Sequence, residues 1–129
     1  MESQTQHVEE HIQKAEHNAK HLKYVMMNVQ AFPDWAVTVA FYVAVHYVEA
    51  FLTKVGHPQD QHHPERNKII ATAPEPELTG IARRYLALYN RSRFSRYWPT
   101  SQRFIRPDEA SKFVADACEL IPKALGFVD

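Results

Sequence analysis

Residues 33 to 55 read PDWAVTVAFYVAVHYVEAFLTKV and are followed by Gly56. A proline is tolerated in the first helical turn, where its missing N–H has no partner to lose, and Asp34 complements the positive end of the dipole, so a helix starts at Pro33. Gly56 stops it. Between these ends the segment is apolar almost all round, the pattern of a helix at the centre of a bundle. The exception is a narrow stripe of Asp34, Thr38, Tyr42, His46, Glu49 and Thr53, recurring every three or four positions. On a buried helix such a stripe faces a polar cleft, another subunit or solvent, and solvent is the first expectation. The most apolar part, Trp35 to Leu52, approaches the length of a membrane span. Thr38, His46 and Glu49 in mid-span would be expensive in lipid, so a core helix is expected and no membrane partner.

Other helices are legible on either side. Val8, Ile12, Ala15, Ala19, Leu22, Met26 and Val29 alternate spacings of four and three, which makes one apolar stripe on a long helix from Ser3 to Val29. Pro64-Glu65 opens a short helix to about Thr72. After Pro74 and Pro76, the residues Leu78, Ile81, Ala82, Tyr85, Leu88, Tyr89 and Ser92 form the inward stripe of a helix ending near Tyr97. Pro107-Asp108-Glu109 opens another, with Ala110, Phe113, Val114, Ala117 and Ile121 facing the core until Pro122 ends or kinks it. Nothing alternates as a strand. The expected fold is therefore all-α, an antiparallel bundle of four long helices plus one short helix, in a single domain over residues 1–129.

Composition narrows the functional classes. Hydrophobic residues make up 45% of the chain and there are only three glycines, which suits a folded helical protein better than a sandwich or barrel. Cys118 is the only cysteine, so no intrachain disulfide and no cysteine zinc cluster can form, and a reducing cytoplasm is the expected setting. Its place in an apolar helical stripe suggests a buried structural thiol. The polar stretch Met1 to Lys14 has no signal-peptide core. His7 with His11, and His17 with His21, are spaced by four, but no carboxylate or cysteine stands at a matching position. No metal and no cofactor are expected.

Charge is zero in sum and uneven in distribution. Residues 1–77 hold six Lys/Arg against ten Asp/Glu, residues 78–107 hold seven Arg and no acid, and residues 108–129 hold two against five. The seven are Arg83, Arg84, Arg91, Arg93, Arg96, Arg103 and Arg106, interleaved with Tyr85, Tyr89, Phe94, Tyr97, Trp98 and Phe104. Guanidinium groups hold phosphate and carboxylate bidentately and stack on flat rings. The competing expectation is a solvated face neutralised by acidic neighbours, against which stands the lack of acids within the segment. Arg91, Ser92, Arg93, Arg96, Tyr97 and Trp98 are the candidate phosphate-binding and base-stacking residues.

The stretches Asp34-Trp35-Ala36-Val37, Phe41 to Leu52, His62-His63-Pro64-Glu65-Arg66-Asn67 and Tyr85 to Tyr97 resemble a bacterial and archaeal branch of the HEPN superfamily, over about residues 33–125. The resemblance implies a helical bundle, commonly dimeric. It also implies RNA or nucleotide as ligand, and a nucleotidyltransferase or toxin–antitoxin system as partner. Active HEPN ribonucleases carry an arginine, a polar residue and, a few positions later, a histidine. Here Arg91-Ser92 matches the first half and Arg96 stands where the histidine belongs. An obligate cation cannot exchange the proton, so no catalytic residue is assigned. A relocated histidine chemistry would need His46, His62 or His63, and a possible polar cleft gathers Asp34, Tyr42, His46, Glu49, His62, His63 and Arg66. The ranking places a non-catalytic, dimeric nucleic-acid or nucleotide binding module first, a protein-interaction and assembly module second, and a divergent metal-independent ribonuclease third.

Overall fold

The computed structural model describes residues 3–57, 62–97 and 105–129, in which the regular structure is all helical, with no strand among them. Helix α1 spans Gln4–Met26. Ser3 caps it, its hydroxyl accepting the Gln6 N–H at 3.1 Å. Residues 27–30 continue as turns rather than as helix, so α1 ends before the expected Val29. Of its apolar stripe only Ala15 and Leu22 are fully buried, because α1 lies on one side of the bundle.

Helix α2 spans Pro33–Val55 and ends where expected. Gly56 adopts φ 87°, and the N–H groups of Gly56 and His57 return to the carbonyls of Thr53 and Leu52. A side chain would be strained in that left-handed conformation, which is why glycine stands there. By length and composition α2 could cross a membrane, yet 78% of its apolar window is buried inside the protein, as befits a core helix.

Helix α3 spans His63–Thr72 and α4 spans Pro76–Tyr97. Leu78, Ile81, Tyr85, Leu88 and Ser92 are buried on α4, following the inward stripe read from the sequence. Helix α5 spans Pro107–Ala115 and is followed by a π-turn, Asp116–Leu120, and by α6, Ile121–Ala124. Pro122 does not end the helix there. It lacks an N–H and would press on the carbonyl four residues back, and the wider π-turn just ahead of it, with Ile121 N–H donating to Asp116 C=O, lets the chain continue to Ala124.

Side-chain contacts give the helix directions. Gln4 at the start of α1 donates to the Thr53 and Lys54 carbonyls at the end of α2. Thr38 near the start of α2 meets Ser95 near the end of α4 at 2.6 Å. Arg91 and Arg84 on α4 meet Glu109 on α5 and Asp116 in the π-turn, in reverse order. Each of these pairs is antiparallel. Phe41, Leu52, Ile81, Tyr85 and Leu88 meet at the centre, where burying each large apolar side chain stabilises the fold by about 1.5–3 kcal/mol.

Candidate functional site

A helix turns about 100° per residue, so the neighbouring arginines of α4 point in different directions. Arg91 turns to α5, where its Nη2 donates to Glu109 at 2.8 Å and its guanidinium lies 5.5 Å from the Phe94 ring. Arg84 approaches the largely buried Asp116 at 3.6 Å, and Arg106 pairs with Asp108 at 3.3 Å. The lack of acids inside the arginine segment therefore does not prevent pairing: the carboxylates arrive from the next helix. Ser92 is also corrected. It is 0% exposed, its hydroxyl donates to the Tyr89 carbonyl at 2.8 Å and receives Arg96 at 3.2 Å, and it has no surface to offer a phosphate.

Arg93 and Arg96, one turn apart, share a face that looks toward α2 and α3. Arg93 lies over the Tyr89 ring at 5.8 Å, and Arg96 over the Phe41 ring at 5.4 Å. Arg96 Nε also donates to the Ser92 carbonyl at 3.2 Å, which fixes the side chain along the helix. The imidazole of His63 packs against the same two rings, 5.4 Å from Phe41 and 5.7 Å from Tyr89, which are themselves 5.8 Å apart. Beside this cluster α2 leaves a face uncovered, with Tyr42 38% and Trp35 59% exposed. The Thr38–Ser95 contact places the C-terminal half of α4 beside that face. Tyr97 is the last residue of α4, and Trp98 lies outside the described residues.

Behind the cluster lies a dry ion pair. Glu49 is 1% exposed and accepts Arg66 Nε at 2.6 Å. The Tyr85 phenol is buried beside them, and burial pushes its pKa up to about 12, opposed in part by Arg66. Arg66 Nη1 also donates to His63 Nδ1 at 2.9 Å. A guanidinium carries only donors, so Nδ1 must be bare and a neutral His63 carries its proton on Nε2. Burial, with Arg66 and Arg96 nearby, holds the imidazole below its ordinary pKa.

The polar stripe of α2 faces solvent only in part: Tyr42 is exposed and Asp34 and His46 are half-buried, while Thr38, Glu49 and Thr53 are buried. Nor is it one cleft. Glu49 joins Arg66 and His63; His46 turns to α1 and stacks on His11, their Nδ1 atoms 3.2 Å apart; the Asp34 carbonyl accepts the Thr38 hydroxyl; and His62 is exposed at the start of α3 without capping it. The His11–His46 contact was not foreseen from spacing, because it joins residues 35 positions apart. Neither was the 2.9 Å clasp of His57 on Glu75, which holds that carboxyl below its usual range. Among the described residues no three His, Cys, Asp or Glu side chains converge as a metal site would require. Burial pushes the Cys118 thiol up to about 11, which suits a structural rather than a nucleophilic role.

Comparison of the chain with protein-family models, with curated proteins and with solved structures finds no match.

Proposed function

We propose that this protein is a non-catalytic binding module for single-stranded RNA or nucleotides, with Arg93 and Arg96 as the phosphate-holding groups and Tyr42 as the ring on which a base stacks. The observation that carries it is the pair of guanidinium groups held over Tyr89 and Phe41, two rings that pack with each other and with His63. Two oriented cations beside an exposed aromatic face match what flexible, phosphate-linked bases need. His63 supports binding rather than cleavage, since Nδ1 is taken by Arg66 and neutral Nε2 already bears a proton. His46 is turned to His11, and Arg91 to Glu109. The proposal includes the HEPN relationship, with the bundle of four long helices plus one short helix, as a member without the usual acid–base histidine.

A short single-stranded RNA tests it. Tyr42→Ala should weaken binding, stacking being worth about 1–3 kcal/mol per base. The wild-type protein should leave the RNA intact. Equal affinity for both proteins, or metal-independent cleavage lost on His63→Ala, contradicts the proposal.

One observation favours a second reading, an assembly module that pairs with another copy or with a toxin–antitoxin or nucleotidyltransferase partner. Tyr24, Met27 and Phe32 are all more than half exposed around the α1–α2 turn. Sedimentation that stays monomeric at high concentration and shifts with no partner removes that reading.

A further inference from the structure

A second concave surface lies between α4 and α5, near the end of α4 opposite Arg93 and Arg96. It encloses about 670 Å³. Arg83 and Arg84 stand on the α4 bank, and Lys112 on the α5 bank. The only carboxylate in the lining is Asp116, whose side chain is 8% exposed and lies 3.6 Å from Arg84. Arg83 and Lys112 make no ion pair among the described residues. The groove is therefore cationic where it meets solvent.

Its floor is small and apolar. Gly80 and Ala87 stand seven positions apart on one face of α4, a rise of about 10 Å or two helical turns, with Arg83 and Arg84 between them. A Cβ added at Gly80 would have no atom within 4 Å. A glycine in a helix costs about 1 kcal/mol relative to alanine, and nothing among the described residues uses the space it leaves. Leu120, 41% exposed, supplies an apolar rim. The one aromatic ring, Phe113, is only 8% exposed, so there is no platform for a nucleobase.

We propose that this groove docks an acidic amphipathic helix of a partner protein. Apolar side chains of that helix would lie over Gly80 and Ala87, with its carboxylates on Arg83, Arg84 and Lys112. Small residues permit the close approach of backbone to backbone, and the cations on both banks select the sign of the partner's charge.

The probe is a helical peptide of roughly 14 residues with leucine on one face and glutamate on its flanks, compared with its leucine–lysine counterpart. Amide spectra of the whole protein should show shifts at Gly80, Ala87 and Lys112 with the acidic peptide alone. Arg83→Glu combined with Lys112→Glu should weaken binding at least about tenfold, as should Gly80→Gln, which fills the floor without altering charge. RNA affinity should be unchanged in both variants, which separates this site from the Arg93–Arg96 cluster. No shifts up to ~1 mM peptide overturn the proposal, a free energy too weak for a specific site. So do equal binding of the lysine peptide, loss of RNA binding in the charge-reversed variant, or shifts that appear with protein concentration alone, which would make a second copy the occupant.

Discussion

Removing the guanidinium of Arg66 should be among the most damaging single changes in this protein. Arg66→Ala leaves Glu49, 1% exposed, without the guanidinium that stands 2.6 Å away. Breaking a buried ion pair from one side costs about 3–5 kcal/mol, because the remaining charge stays buried with the guanidinium gone. The His63 Nδ1 atom loses its donor as well. Removing both members tells the two contributions apart. Glu49→Met with Arg66→Met withdraws both charges at similar volume, a replacement that is often neutral in other cores. Here His63 would still lack the guanidinium, at a cost of about 1 kcal/mol, so the double variant should recover at least half of the single variant's loss. Urea unfolding followed by circular dichroism gives the stabilities. In heating experiments the Arg66→Ala loss should lower Tm by roughly 10–20 °C for a domain of this size. A loss below about 1 kcal/mol, or a double variant as unstable as the sum of the singles, refutes the claim that the pair is dry and coupled.

Three further outcomes follow from the same geometry. His63 is held below its ordinary pKa, so below about pH 6.5 the unfolded chain binds a proton that the folded protein resists. Stability should therefore fall as pH drops from that point, and His63→Asn should flatten the dependence in thermal melts. The Tyr85 phenol is raised from 10.0 to about 12, so between those values the folded state keeps a proton that the unfolded chain releases. Stability should decline as pH rises through that window, and ultraviolet titration should find this tyrosinate forming only with unfolding. Gly56→Ala should cost about 1 kcal/mol in chemical denaturation, since φ of 87° disfavours any Cβ while no atom of the described residues obstructs it.

Local chemistry made much of the fold legible. Pro33 and Gly56 bounded α2 because the first turn and the left-handed stop each demand a particular backbone, and the inward stripe of α4 followed helical spacing. The site was less legible, since its partners are distant in sequence. Arg91 and Glu109 are 18 positions apart, and only the antiparallel return of α5 brings them together. Arg91, Ser92, Arg93 and Arg96 read as one cluster on the page, whereas the turn of the helix sends the first to α5, buries the second and leaves the last two beside α2 and α3. The polar stripe of α2 could not reveal that Glu49 had an arginine waiting on α3. Phe41 looked like any core ring, and its role in carrying Arg96 depends on the contact between α2 and α4. The π-turn before Pro122 likewise belongs to the packing of the last helices rather than to any one residue.

The most direct test compares arginines that are close in sequence but separated by the helix. Binding of a short single-stranded RNA is measured by fluorescence anisotropy over a series of salt concentrations for wild type, Arg91→Ala and the double variant Arg93→Ala/Arg96→Ala. The account predicts that the double variant binds more weakly and that its slope of log K against log salt falls in magnitude by about 1.4, since each lost phosphate contact on a single strand removes about 0.7. Arg91→Ala should leave both affinity and slope unchanged, its side chain being committed to Glu109. An unchanged slope in the double variant, or a loss of binding in Arg91→Ala alone, would contradict the assignment of the α2–α3–α4 cluster as the phosphate site.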